Sequence, residues 1–147
     1  MLRSLVGSEM CIRDRVYVSR DARLRMPFVN LGLCPEFGSS LILPRLLGQA
    51  KAAELLLLGE GFSGEQAAAW GIASALGDGV ATLAKAREAA LRFSQLAPEA
   101  VQVSKRLMKA PGREQLRQVI EQEGVEFTRR LQSPEAIAAL SGFLSKG

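Results

Sequence analysis

The sequence predicts an α/β chain in which a few short strands precede a mainly helical tail. Two observations carry that expectation. Strand-like composition is confined to residues 16–26 and 72–76, whereas cap signals and apolar residues at helical spacing recur from Ser39 to the end. At 147 residues, with 48% hydrophobic and 23% charged content, the chain is one domain's worth and long enough to bury a core.

Residues 1–15 show neither helical nor strand periodicity, and Glu9 interrupts any secretory apolar stretch. The run Val6 to Arg15 resembles translated adapter sequence, so this segment is expected to be artefactual, disordered or adventitiously packed. Val16-Tyr17-Val18 has the β-branched and aromatic content of a strand, and residues 22–26 alternate apolar with polar. Ser39 or Ser40 can cap a helix to about residue 47, with Pro44 tolerated if it lies in the first turn and Gly48 closing it. A second helix is expected over 49–58, ending at Gly59.

Ser63-Gly64-Glu65-Gln66 reads as a capping box for a short helix through Trp70, itself a packing anchor, that stops at Gly71. A strand over 72–76 follows. The next helix, about 80–96, has Leu83, Ala84, Ala90, Leu91 and Phe93 as its apolar side. Pro98 starts another, expected to end before Pro111. Leu116, Val119, Ile120, Phe127 and Leu131 recur at helical spacing from about residue 113, and Ser133-Pro134-Glu135 opens the last helix with Ser as N-cap and Pro at the first helical position.

Composition narrows the function classes. The net charge of +4 is concentrated in residues 1–25, where six Arg face Glu9, Asp14 and Asp21, so the remaining 122 residues carry only +1. No aromatic-interleaved basic stripe appears, so no nucleic-acid partner is expected. The longest apolar runs fall far short of a bilayer span, so no membrane partner is expected either. Cys11 and Cys34 offer neither metal-ligand spacing nor a disulfide framework, which fits a reducing compartment. With no histidine, a Ser–His or Cys–His nucleophile built within this chain is excluded.

One stretch concentrates candidate chemistry, Met26-Pro27-Phe28-Val29-Asn30-Leu31-Gly32-Leu33-Cys34-Pro35-Glu36-Phe37-Gly38-Ser39-Ser40. Glu36 is the only carboxylate between Asp21 and Glu54 and stands between a turn and a helix start. Walled by Phe28, Leu31, Leu33 and Phe37, it would lose hydration, which raises a carboxyl pKa and suits proton transfer. Equally, it reads as an exposed acid near a helix N-terminus, favoured by the macrodipole. Spacing alone leaves both readings open.

Pro27-Phe28, Leu31-Gly32-Leu33, Pro35-Glu36, Ser39-Ser40, Leu43-Pro44, Gly48, Ala53-Glu54, Leu57, Gly59, Ala67 and Gly71-Ile72 together resemble the second half of the crotonase superfamily, the enoyl-CoA hydratase/isomerase family, over roughly residues 17–147. The stretch is most similar to the peroxisomal-type Δ3,Δ2-enoyl-CoA isomerases. The resemblance implies the C-terminal half of a ClpP/crotonase-like fold and an enoyl-CoA isomerase of fatty-acid β-oxidation, which moves a double bond from 3-enoyl-CoA to 2-trans-enoyl-CoA. It implies an acyl-CoA substrate and no separate cofactor, coenzyme A being part of that substrate. A homotrimer or dimer of trimers is implied for the full-length protein.

By the same resemblance Glu36 is the catalytic acid/base, and Phe28, Leu33, Pro35 and Phe37 line the substrate site. Phe143 and Lys146 match tail positions that lie against the adenine and its phosphates. The family's oxyanion-hole donors would lie upstream of Val16, so residues 16–147 are expected to be a truncated domain, inactive alone. The ending Ser145-Lys146-Gly147 is not the Ser-Lys-Leu peroxisomal address, and a cytoplasmic location is expected. Two alternatives compete. One is an enoyl-CoA hydratase or other crotonase-family acyl-CoA enzyme; hydratases use a second glutamate where Phe28 stands. The other is a non-catalytic oligomerisation module.

Overall fold

A computed structural model describes residues 15–144; the side chains of Phe143 and Leu144 lie outside that description, as do residues 1–14 and 145–147. The expectations for the N-terminal segment and for Lys146 therefore fall outside the described residues. In chain order the elements are β1 (Tyr17–Ser19), β2 (Arg23–Leu24), a 3₁₀ turn (Val29–Leu31), α1 (Ser39–Leu47), α2 (Gln49–Ala53) running into a π-helical turn (Glu54–Leu58), β3 (Phe62–Ser63), α3 (Gly64–Ala69), β4 (Ala75–Gly77), α4 (Val80–Ser94), α5 (Pro98–Leu131) and α6 (Pro134–Leu144). Helix accounts for 67% of the structure, in line with the expected short strands and helical tail.

Contacts divide the chain into two compact units. The first comprises residues up to Leu24 together with Phe62–Lys105. Here β1 pairs in parallel with β4, Val18 opposite Leu76, and β2 pairs antiparallel with β3, Leu24 opposite Phe62. β3 was not anticipated: two residues are too few for an alternating pattern to register. The strand expected over 72–76 is β4, which begins at Ala75 rather than residue 72, because Gly71 and Ala73 still bond back to α3. Val18, Phe62, Ala67 and Ala73 are buried, and Trp70 leans on Phe62 with ring centroids 5.5 Å apart, as a packing anchor should. The capping box forms as expected: the Gln66 N–H donates to Ser63 Oγ at 3.1 Å and the Ser63 N–H to Gln66 Oε1 at 2.8 Å.

Two expectations for α4 and α5 are corrected. Leu83 and Leu91 of α4 are exposed, and its partly covered side chains are Thr82, Ala86, Ala89 and Phe93. These four residues, at i, i+4, i+7 and i+11, form one narrow stripe on a helix that packs against β1 and β4. Helix α5 continues through Pro111 instead of stopping before it. Proline deletes the bond to the Leu107 carbonyl, but Leu107 and Pro111 are both exposed, so water can take that carbonyl and no buried group is orphaned.

The second unit, Arg25–Gly61 with the chain from Arg106 onward, holds the candidate stretch. Its core is a cluster of Leu43, Ala52 and Leu56, with Met26, Phe28 and Leu47 packed against it. Pro44 sits at the sixth position of α1, beyond the first turn, so the helix forgoes one bond in its interior. Helix α6 opens as expected, the Ala136 N–H donating to Ser133 Oγ at 3.2 Å.

Candidate active site

The segment that carries Glu36 is a double turn. The Leu33 N–H bonds the Phe28 carbonyl at 2.8 Å and the Gly32 N–H bonds that of Val29 at 2.9 Å, closing a loop whose reversal falls on Gly32 at φ +70°. After Cys34-Pro35 the chain reverses again through Phe37 (φ +57°) and Gly38 (φ +76°) into α1. A left-handed conformation suits Gly38 but strains Phe37, by roughly 1–3 kcal/mol for a non-glycine residue. Something else must hold the turn.

That something comes from α5. Glu123, only 8% exposed, directs its carboxylate at the start of α1. Its Oε2 accepts the Gly38 N–H at 2.5 Å, and its Oε1 accepts the Ser40 N–H at 2.9 Å and the Ser40 hydroxyl at 2.5 Å. A carboxylate at a helix N-terminus satisfies orphan donors and complements the dipole. The expected cap from Ser39 or Ser40 is thereby corrected: the N-cap position is Gly38, which has no side chain, and the cap is supplied from outside the helix. One face of α5 continues the grip. Cys34 Sγ stands 4.0 Å from the Glu123 carbonyl, and Arg130 Nε donates to the Gly32 carbonyl at 2.9 Å while its guanidinium pairs with Glu135.

Glu36 itself is partly buried, and among the described residues its carboxylate has no hydrogen-bond or ion-pair partner. A partnerless acid on a braced turn is free to exchange a proton with a ligand. Cys34 is no rival: burial, then the charges of Glu126 and Glu123, push its thiol up, away from the thiolate a nucleophile needs.

The other expected site residues divide. Leu33 lines an open cleft of about 490 Å³ with Gly32, Arg130, Glu135 and Ala139 among its walls; Glu36 is not among them. Pro35 is partly covered beside Glu36. Phe28 packs against the Leu43–Ala52–Leu56 cluster. Phe37, expected to wall the carboxylate, is 78% exposed, because its left-handed backbone turns the side chain out of this unit. Phe143 belongs to α6, but its side chain is outside the described residues.

Sequence reasoning assigned no role to the Glu123 or Arg130 side chain, although the resemblance placed the segment 123–127 in a tail that covers the site and a further signal existed. Gly112, Leu116, Val119, Glu123, Phe127 and Arg130 are the covered positions of α5 in this unit, so the two charges stand at helical spacing inside the apolar stripe. A charge on the buried stripe of a helix implies a partner.

The family model for enoyl-CoA hydratase/isomerase matches residues 7–147. Enoyl-CoA delta isomerase 2 of Rattus norvegicus is 32% identical over 133 residues, 90% of this chain and 34% of that protein. Among solved structures, that of Pseudomonas aeruginosa OdaA is 69% identical with a TM-score of 0.86, over 88% of this chain and 53% of its own. An enoyl-CoA hydratase from Bacillus halodurans is 28% identical with a TM-score of 0.78, over 88% and 52%. The chain thus spans about a third of the rat relative and about half of the two solved ones.

Proposed function

The chain belongs to the enoyl-CoA hydratase/isomerase family, and from that footing we propose that, in the full-length protein, it supplies the acid/base half of an enoyl-CoA isomerase acting on 3-enoyl-CoA. The observation that carries the reading is Glu36, one partly buried carboxylate without a partner among the described residues, on a turn braced from both sides. Glu36 removes a proton from C2 of the substrate; the C2–H electron pair delocalises through the 3,4 double bond and the thioester as a dienolate. The carboxyl then returns the proton to C4, leaving the double bond between C2 and C3. One carboxylate lying over the allylic plane serves both steps. Donors for the dienolate oxygen belong to the part of the protein upstream of this chain. The acyl-CoA is the only ligand the chemistry needs, and the working protein is a homotrimer or dimer of trimers.

The rat relative supports the isomerase reading and the Bacillus one a hydratase. Phe28 supports the isomerase reading here. Adding water takes a second acid/base group, and this position instead packs an aromatic ring onto the core, which favours a chemistry that excludes water.

In the full-length protein, Glu36→Gln keeps the shape and loses the base, so turnover of 3-enoyl-CoA should fall about 10²–10⁴-fold with acyl-CoA binding little changed. Turnover within about tenfold of wild type would falsify the assignment of Glu36 and of the mechanism.

A further inference from the structure

Helix α5 grips the segment 32–40 at four residues, Gly32, Cys34, Gly38 and Ser40, and leaves Pro35, Glu36 and Phe37 between the grips. Three of the bonds converge on one carboxylate, 92% buried by its 8% exposure, whose nearest attachment is the N–H two residues past Glu36. The geometry points to Glu123 as the positioning residue of the proton-transfer site: it sets where the Glu36 carboxylate stands. This inference rests on the reading of Glu36 as acid/base.

The physical argument is one of holding against strain. Phe37 at φ +57° tends to relax out of the left-handed region, and rotation there swings Glu36 relative to α1. The Gly38 N–H, fixed to Glu123 Oε2 at 2.5 Å, stops that rotation one peptide away. Ser40, bonded through both its N–H and its hydroxyl, fixes the same carboxylate against the first turn of α1, so the anchor cannot pivot. A Cβ on Gly38 would stand 2.4 Å from Leu116 Cδ1 and on a backbone at φ +76°, so a bulkier, self-capping residue there would be strained and would have to push that side chain aside. An unpartnered base held on a backbone of this stiffness is preorganised, and displacement of about 1 Å from the reacting carbon costs on the order of 10²-fold in rate.

The test uses the full-length protein and 3-enoyl-CoA. Glu123→Gln keeps one acceptor oxygen but turns an amide NH₂ toward an N–H donor. We expect kcat to fall about 10–100-fold, with KM within about threefold and the melting temperature within a few degrees. Placed on Glu36→Gln, the same change should cost less than about twofold further, because the two act through one carboxylate. A wild-type kcat per folded molecule for Glu123→Gln makes it a helix cap alone and overturns the inference, as does an equal fall in both backgrounds; in either case Glu36→Gln stays inactive and the reading of Glu36 survives. Near-wild-type turnover of Glu36→Gln sinks that reading and takes this inference with it. Should Glu123→Gln not fold, Ser40→Ala removes one of the three bonds at an exposed residue; a fall of a few-fold in kcat is expected, and an unchanged kcat overturns the inference.

Discussion

Gly32 bears two constraints that no other residue type meets together. Its φ of +70° lies in the left-handed region, and a Cβ there would come within 2.7 Å of the Ala136 backbone nitrogen, the first turn of α6. Backbone cannot move aside as a side-chain tip can. Gly32→Ala should therefore cost more than the roughly 1–2 kcal/mol of the left-handed conformation alone. It should also loosen the Arg130 contact to the Gly32 carbonyl. Denaturant unfolding of the full-length protein measures it, and a change under about 0.5 kcal/mol would show that the α6 contact is not tight in solution.

Among the elements, α5 is the one on which the site depends. Its C-terminal part presents Leu116, Val119 and Phe127 for packing and Glu123 and Arg130 for bonding, all on one stripe. Pro111 interrupts the bonding of this helix at an exposed point. Pro111→Ala restores an N–H to the Leu107 carbonyl. A proline in a helix interior costs about 3 kcal/mol, while its restriction of the unfolded chain returns about 1, so the substitution should stabilise by about 2 kcal/mol. Thermal unfolding with an unchanged or lowered midpoint would mean that the helix is bent at Pro111 to serve a contact that alanine cannot keep.

At the scale of the whole molecule, the described strands form only two-stranded sheets, and large apolar side chains such as Val80 (86% exposed) and Met108 (83% exposed) lack cover. No described helix is long and apolar enough to cross a membrane. The chain spans about half of the solved relatives it matches. Developing negative charge on the thioester oxygen needs preorganised donors, whose removal one at a time typically costs 10²–10³ in rate. The 147-residue chain alone is therefore expected to show no isomerisation of 3-enoyl-CoA, and a protein that includes the upstream half should show it. Turnover by the isolated chain, followed as 2-enoyl-CoA formed, would refute the assignment of the oxyanion donors to that half.

Local chemistry was legible. The Ser63–Gln66 box, the Ser133 cap and the stop at Gly59 each depend on residues within a single turn of one another, so the sequence by itself determined them. It also marked Glu36 as the lone acid of its stretch and Leu116, Val119, Ile120, Phe127 and Leu131 as one helical face, of which Ile120 and Leu131 are exposed because they flank the covered stripe. Only the tertiary structure decided what that face touches. Glu123 meets Ser40 across 83 residues of chain and Arg130 meets Gly32 across 98, and no spacing rule links positions so far apart. The outward turn of Phe37 has the same origin, for a left-handed phenylalanine persists only where its neighbour's N–H is held from elsewhere, here by a carboxylate folded in from α5.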